Sequence, residues 1–131
     1  MPKGFLDIVA IARDNVRKNP SVVDLSTEDA TKRYLNGLSD EVEEVFVEVK
    51  ENNAVFLADE LSDIAWNYAV VLALLEYRGL IPSVEIVLAH AHTKYVERAP
   101  AFLEASSELW DEVKKMQKAT LEKKHQEQYG I

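Results

Sequence analysis

The sequence predicts an all-α protein, an antiparallel bundle of four to five helices. Glycine and proline are scarce, four of each in 131 residues, so few positions interrupt a helix. Apolar residues recur three and four apart through most of the chain, the period of a helical face. No segment shows the period-two alternation of a convincing strand.

A first helix is expected over roughly 3–18, with Phe5, Ile8, Ala12 and Val16 on one stripe; it stops before Pro20, whose ring and missing N–H end a helix. Residues 21–26 read as a loop. Ser26, followed by Asp29, caps a second helix running to about Glu51, because a short oxygen side chain satisfies free backbone N–H groups. Leu35, Leu38, Val42, Val45 and Val49 make its apolar seam, and Gly37 is where it would kink or split, with Ser39 as the alternative cap. Asn52 and Asn53 mark a turn. A third helix, from about Ala54 to Arg78, ends at Gly79 as a left-handed C-cap does, and its apolar surface on most sides makes it the centre of the core. A short link precedes a fourth helix from about Ser83 to Arg98. Pro100 either breaks that helix or opens the first turn of a fifth, which runs from about Ala101 to Glu127. The fifth begins amphipathic, with Phe102, Leu109, Trp110, Val113 and Met116, and ends as a charged tail. The expectation is one domain over 1–131, its core at about 28–116 and its tail at about 117–131.

Fifteen Lys and Arg face 23 Asp and Glu, a net charge of -8, which argues against a nucleic-acid partner, since gripping a polyanion needs excess cations. A small phosphorylated substrate remains compatible where a divalent cation reverses the local charge. The most apolar stretch, 54–75, contains Asp59, Glu60 and Asp63, which are costly in hydrocarbon, so it reads as a buried helix and no membrane partner is expected. Cysteine is absent, excluding disulfides and thiolate chemistry and suiting a reducing cytosol. Charged residues interrupt the N-terminal apolar run early, so no export is expected and the location is read as cytoplasmic.

The chemistry lies in the acids of two neighbouring helices. Glu41 and Glu44, three apart on the second helix, share a face, and Glu44 shares one with Glu48; each unpaired like-charge pair costs about 0.2–0.5 kcal/mol. Glu60 and Asp63 lie one turn apart on the apolar third helix, where ionised carboxylates need a cation, a proton or several donors. The short turn makes these helices antiparallel neighbours, so the two pairs can converge. Oxygen-only ligands select hard cations, and magnesium binds through carboxylates together with substrate phosphates. A di-iron bundle needs paired Glu-x-x-His turns, but the one such spacing here, Glu122 with His125, lies in the polar tail. His90 and His92 are two apart and diverge on a helix; capping or packing suits them better.

These residues resemble the all-α MazG-like nucleoside triphosphate pyrophosphohydrolases, whose signature is Glu-Glu-x-x-Glu, a spacer, then Glu-x-x-Asp. The matching positions are Asp40, Glu41, Glu44, Glu60 and Asp63, with Asp40 standing where the family has Glu. Downstream, 91–104 is similar to the family's Lys-Phe-x-x-Arg segment and 107–115 to its Trp-x-x-x-Lys stretch. The resemblance covers about 38–115. It implies Glu41, Glu44, Glu60 and Asp63 as magnesium ligands, with manganese as a substitute, and Lys94 and Arg98 as phosphate contacts. Asp40 or Glu48 would orient or deprotonate the attacking water, and Asn67, one turn beyond Asp63, would touch the base or sugar or bond between helices. His92 stands where the family often has Asn. The implied reaction is hydrolysis of a nucleoside triphosphate to monophosphate and pyrophosphate, in nucleotide-pool house-cleaning, by a homodimer or homotetramer. Self-association is also expected because the third helix is apolar nearly all round. A phosphoribosyl-ATP pyrophosphohydrolase and a non-catalytic acidic helical regulator stand as the alternatives.

Overall fold

A computed structural model describes residues 4–131, and every regular element in them is helical: α1 (Phe5–Lys18), α2 (Pro20–Val23), α3 (Thr27–Glu48), α4 (Ala54–Tyr77), α5 (Val84–Leu103) and α6 (Ser107–Tyr129). The all-α class follows the sequence. The chain forms two compact units, one ending at Val84 and one beginning at Glu85. None of the described helices is long and apolar enough to cross a membrane.

In the first unit, α1 buries Val9, Ala12 and Val16, spaced three and four apart as a helix seated on a core requires. Phe5 sits at the edge, stacked on Tyr68 with ring centroids 5.7 Å apart. Pro20 does more than stop α1. It occupies the first turn of α2, where its missing N–H costs nothing, and the Asn19 side chain accepts from Ser21 N at 3.0 Å. The expected loop therefore begins with a helical turn that buries Val22 completely.

Ser26 caps α3 as the sequence indicates, its Oγ accepting from Asp29 N at 3.1 Å. Gly37 neither kinks nor splits α3, which is continuous through it. A mid-helix glycine costs roughly 1 kcal/mol against alanine, and close packing explains its presence. A methyl group there would lie 2.7 Å from Asn67 Oδ1 on α4, so the missing side chain lets α3 and α4 approach at that level.

The second half of α4 buries Ala69 through Leu74 without interruption, the centre of this unit's core. At its end Gly79 has φ 76°, and Leu80 N donates to Leu75 O at 2.9 Å, closing the left-handed cap. Two side chains from that last turn hold the neighbours. Glu76 accepts Arg13 Nε and a terminal nitrogen, each at 2.9 Å, and Val84 N at 2.7 Å; the Arg13 hydrogen bond above all holds its carboxyl below the ordinary range. Arg78 donates to Thr27 Oγ1 at 3.0 Å and Leu25 O at 3.1 Å, fixing the α2–α3 link.

The α3 seam is only half covered. Leu38 and Val45 are partly buried, while Leu35, Val42 and Val49 are exposed. Phe46, Val47, Val55 and Phe56, around the α3–α4 turn, are 75%, 72%, 79% and 66% exposed. The sequence pattern marks an apolar face without specifying what covers it, and within this unit α3 packs principally on α4.

In the second unit α5 runs through Pro100 to Leu103, so Pro100 neither breaks the helix nor opens the next one, which starts at Ser107; the proline forgoes one backbone bond, and Glu104 N still donates to Pro100 O at 3.0 Å. A cap like that of α4 follows, with Ala105 at φ 50° and Ser106 N donating to Ala101 O at 3.1 Å. Ser106 Oγ then caps α6 by accepting from Leu109 N at 3.1 Å. The two helices fold back as a hairpin, with Phe102 against Trp110 (centroids 5.0 Å) and Arg98 bonded to Gln117.

Gly37→Val exceeds what a shift of the Asn67 amide can clear. It is expected to cost about 1–3 kcal/mol, the usual penalty of overpacking, in urea denaturation. It should also diminish any thermal stabilisation by divalent ions, because the displaced contact lies one turn from the acidic cluster.

Candidate metal centre

The contact of Gly37 with Asn67 sets the register of the antiparallel pair. One turn further along α3 lies Glu41, and one turn back along α4 lies Asp63; a further step reaches Glu44 and Glu60. One oxygen each from Glu41, Glu60 and Asp63 lies within 4.8 Å of the other two, and all three residues are half-buried. Glu44 is more exposed, and its carboxylate meets both Glu41 and Glu60.

Donors are missing from this cluster. Glu41 Oε2 and Glu60 Oε2 are buried without a hydrogen-bond partner among the described residues, and the ion pairs of the described residues lie elsewhere in the chain. A carboxylate so placed takes a proton or a cation. The Glu44 contact, then burial, then repulsion from Glu44, Asp63 and Glu60 push the Glu41 carboxyl from 4.5 up to about 7. Glu60 is raised too, again first by Glu44 and then by burial. Converging oxygens with unsatisfied lone pairs, and no ammonium or guanidinium paired with them among the described residues, fit a hard divalent cation such as magnesium, which prefers carboxylate oxygen.

The remaining sequence candidates fall outside this cluster. Asp40 is exposed on α3, one turn from Glu44. Glu48 ends α3, where Asn53 Nδ2 donates to its carbonyl at 2.8 Å and to its Oε2 at 2.6 Å, closing the α3–α4 turn. Asn67 donates to Asp63 O at 2.9 Å while its Oδ1 faces Gly37, so it is engaged in the helix pair.

Lys94 and Arg98 lie one turn apart on α5, both half-buried. Arg98 donates through Nε to Gln117 Oε1 at 2.8 Å, and its guanidinium carbon lies 5.4 Å from the Tyr95 ring centroid and 4.9 Å from that of Trp110. Lys114 Nζ is 5.7 Å from the Trp110 centroid. The quadrupole of an aromatic ring attracts a cation held over its face, so Trp110 groups Lys114 with Arg98; Trp110 and Lys114 lie outside the sequence candidates for the site. Their Trp-x-x-x-Lys spacing was the available signal. Gln117 had none, being one glutamine in a polar tail.

A raised carboxyl makes the folded chain bind protons more tightly than the unfolded one. Its contribution to stability is full below about pH 4.5 and is lost as pH rises through about 7. Metal-free protein should therefore melt at falling temperature across that window, and Glu41→Gln should flatten the dependence. Magnesium should raise the melting temperature more at about pH 8 than at about pH 5.5, where protons compete for the same oxygens; calorimetry at the two pH values checks both.

Residues 29–103 match the MazG nucleotide pyrophosphohydrolase domain, a span that contains Asp40, the four clustered carboxylates, Asn67, Lys94 and Arg98 and stops short of Trp110 and Lys114. No curated protein and no solved structure matched the chain. With more than half of its length matched, the chain belongs to the MazG nucleotide pyrophosphohydrolase domain family.

Proposed function

We propose that the protein is a magnesium-dependent nucleoside triphosphate pyrophosphohydrolase, converting a nucleoside or deoxynucleoside triphosphate and water to the monophosphate and pyrophosphate. The observation that carries this reading is the convergence of Glu41, Glu60 and Asp63 oxygens within 4.8 Å, two of the residues having a buried oxygen without a protein partner, in a chain of this family. Glu41, Glu44, Glu60 and Asp63 would hold magnesium or manganese, which when bound neutralises phosphate charge and lowers the pKa of a water.

In the reaction the water oxygen bonds to a phosphorus at the α–β bridge, the bridging P–O bond breaks, and the water's proton passes to a carboxylate. Asp40 is the stronger assignment for that carboxylate, because Glu48 Oε2 already accepts from Asn53 at 2.6 Å. Lys94 and Arg98 meet negative charge on the phosphates. Asn67, held to Asp63 O at 2.9 Å, positions the helix pair and is the side chain assigned to the base or sugar.

We assign the active form to a homodimer or homotetramer, on the support of the apolar side chains exposed around the α3–α4 turn, a patch of the kind that marks an interface. Clearing of altered nucleotides from the cytoplasmic pool is the role this chemistry suits. The grouping of Arg98, Trp110 and Lys114 favours this reading over a phosphoribosyl-ATP pyrophosphohydrolase.

A panel of ordinary and modified nucleoside triphosphates, assayed for pyrophosphate with magnesium, tests the proposal. Wild type should turn over at least one of them, and Glu41→Gln should reduce the rate by about a hundredfold or more, since even outer-shell changes at metal sites cost 10–100-fold. Absence of turnover with magnesium and with manganese, together with an unchanged response of Glu41→Gln to metal, points instead to a non-catalytic regulator.

A further inference from the structure

The distal half of α6 lies beyond both the matched span and the Trp-x-x-x-Lys stretch, yet it builds one side of a cleft of about 490 Å³ within the α5–α6 hairpin. Lys94 and Arg98 line the cleft from α5, and Gln117 and Lys124 line it from α6. Among the described residues none of these three cations is in an ion pair. The one carboxylate in the lining, Glu97, accepts from Gln117 Nε2 at 3.1 Å.

Gln117 is fixed from both ends of its amide. Its Nε2 donates to Lys94 O at 2.9 Å and its Oε1 accepts from Arg98 Nε at 2.8 Å. A carbonyl can only accept, so this arrangement determines which way the amide points. Arg98 is thereby held by one of its five N–H donors and by the Tyr95 and Trp110 rings, and its terminal nitrogens carry no acceptor among the described residues. A planar fork held in this way suits the oxygens of a phosphoryl group.

We propose that the cleft is a receptor for the condensed phosphates of the nucleotide, in which Gln117 is a positioning residue for Arg98 and Lys124 is a third phosphate-binding cation. The proposal rests on the reading of Lys94 and Arg98 as phosphate contacts. The α6 tail is then part of this phosphate receptor within the hairpin, and three cations around one cavity match a ligand carrying several negative charges.

The test uses the full chain, stripped of divalent ions so that the carboxylate cluster cannot recruit the ligand, titrated with inorganic tripolyphosphate in a calorimeter. Lys124→Ala, at an exposed position, should weaken binding threefold to tenfold at unchanged melting temperature, and Gln117→Met, similar in size but unable to hold Arg98, should weaken it by a similar factor in protein that is still folded. In turnover, Gln117→Met should raise KM with little change in kcat. Binding that falls in Lys94→Ala but not in Lys124→Ala or Gln117→Met overturns the proposal and leaves the proposed function standing. No binding of tripolyphosphate by wild type that turns over nucleotides overturns it as well. Failure of the proposed function has its own signature, absence of nucleotide turnover in wild type.

Discussion

Everything specific to the acidic centre depends on the close packing of α3 against α4 at a level that forces like charges together. Gly37 permits the approach, since any side chain there meets the Asn67 amide. One turn away the same approach brings Glu41 and Asp63 together, and the next step adds Glu44 and Glu60. Packing and electrostatics oppose one another over these two turns. The strain appears as carboxylate oxygens of Glu41 and Glu60 buried without donors among the described residues, with the Glu41 carboxyl raised to about 7 and that of Glu60 raised as well. A divalent cation held among these oxygens would relieve this strain.

The opposite end of α4 lets the pair hold its register against that repulsion. Buried aliphatic residues from Ala69 to Leu74 anchor the helix, each larger one contributing roughly 1.5–3 kcal/mol by removal from water. Glu76 takes Arg13 in a two-bond grip, and Arg78 reaches the backbone before α3. These links lie several turns from the acidic centre. The stability that holds the site together is thus generated where each charge has a partner or an acceptor, and the cost is carried at the other end. Such separation of a stable end from a strained functional one is a common arrangement in proteins that bind ions or ligands.

The helices were legible in the sequence because their caps and periods are local. Ser26, Gly79 and the turn at Asn52–Asn53 act on groups within a few residues of themselves, and the structure uses each of them. Pro20 and Pro100 were harder. Pro20 can end one helix or open the next, Pro100 can break a helix or be tolerated within it, and tertiary context decides between those outcomes. Gly37 was read as a weakness of its helix, since spacing along one chain carries no information about what a neighbouring helix places opposite. The exposed half of the α3 seam has the same origin: an apolar face is visible in the pattern, its cover is not. At the site, the carboxylate spacing showed which acids share a face. It did not show that Asn53 engages Glu48 or that Gln117 fixes Arg98, because both depend on the positions of single amides that carry no periodic signal.

Glu41, Glu60 and Asp63, with Glu44 beside them, are the residues assigned to hold a divalent cation between α3 and α4. Anomalous diffraction from crystals grown with manganese tests this most directly. The account predicts a manganese peak within about 2.5 Å of carboxylate oxygens from both helices, the range of hard-cation ligands, and its loss in Glu41→Gln. A well-ordered acidic centre with no anomalous density, or a peak confined to other acids such as Glu43 or Glu51, would contradict it.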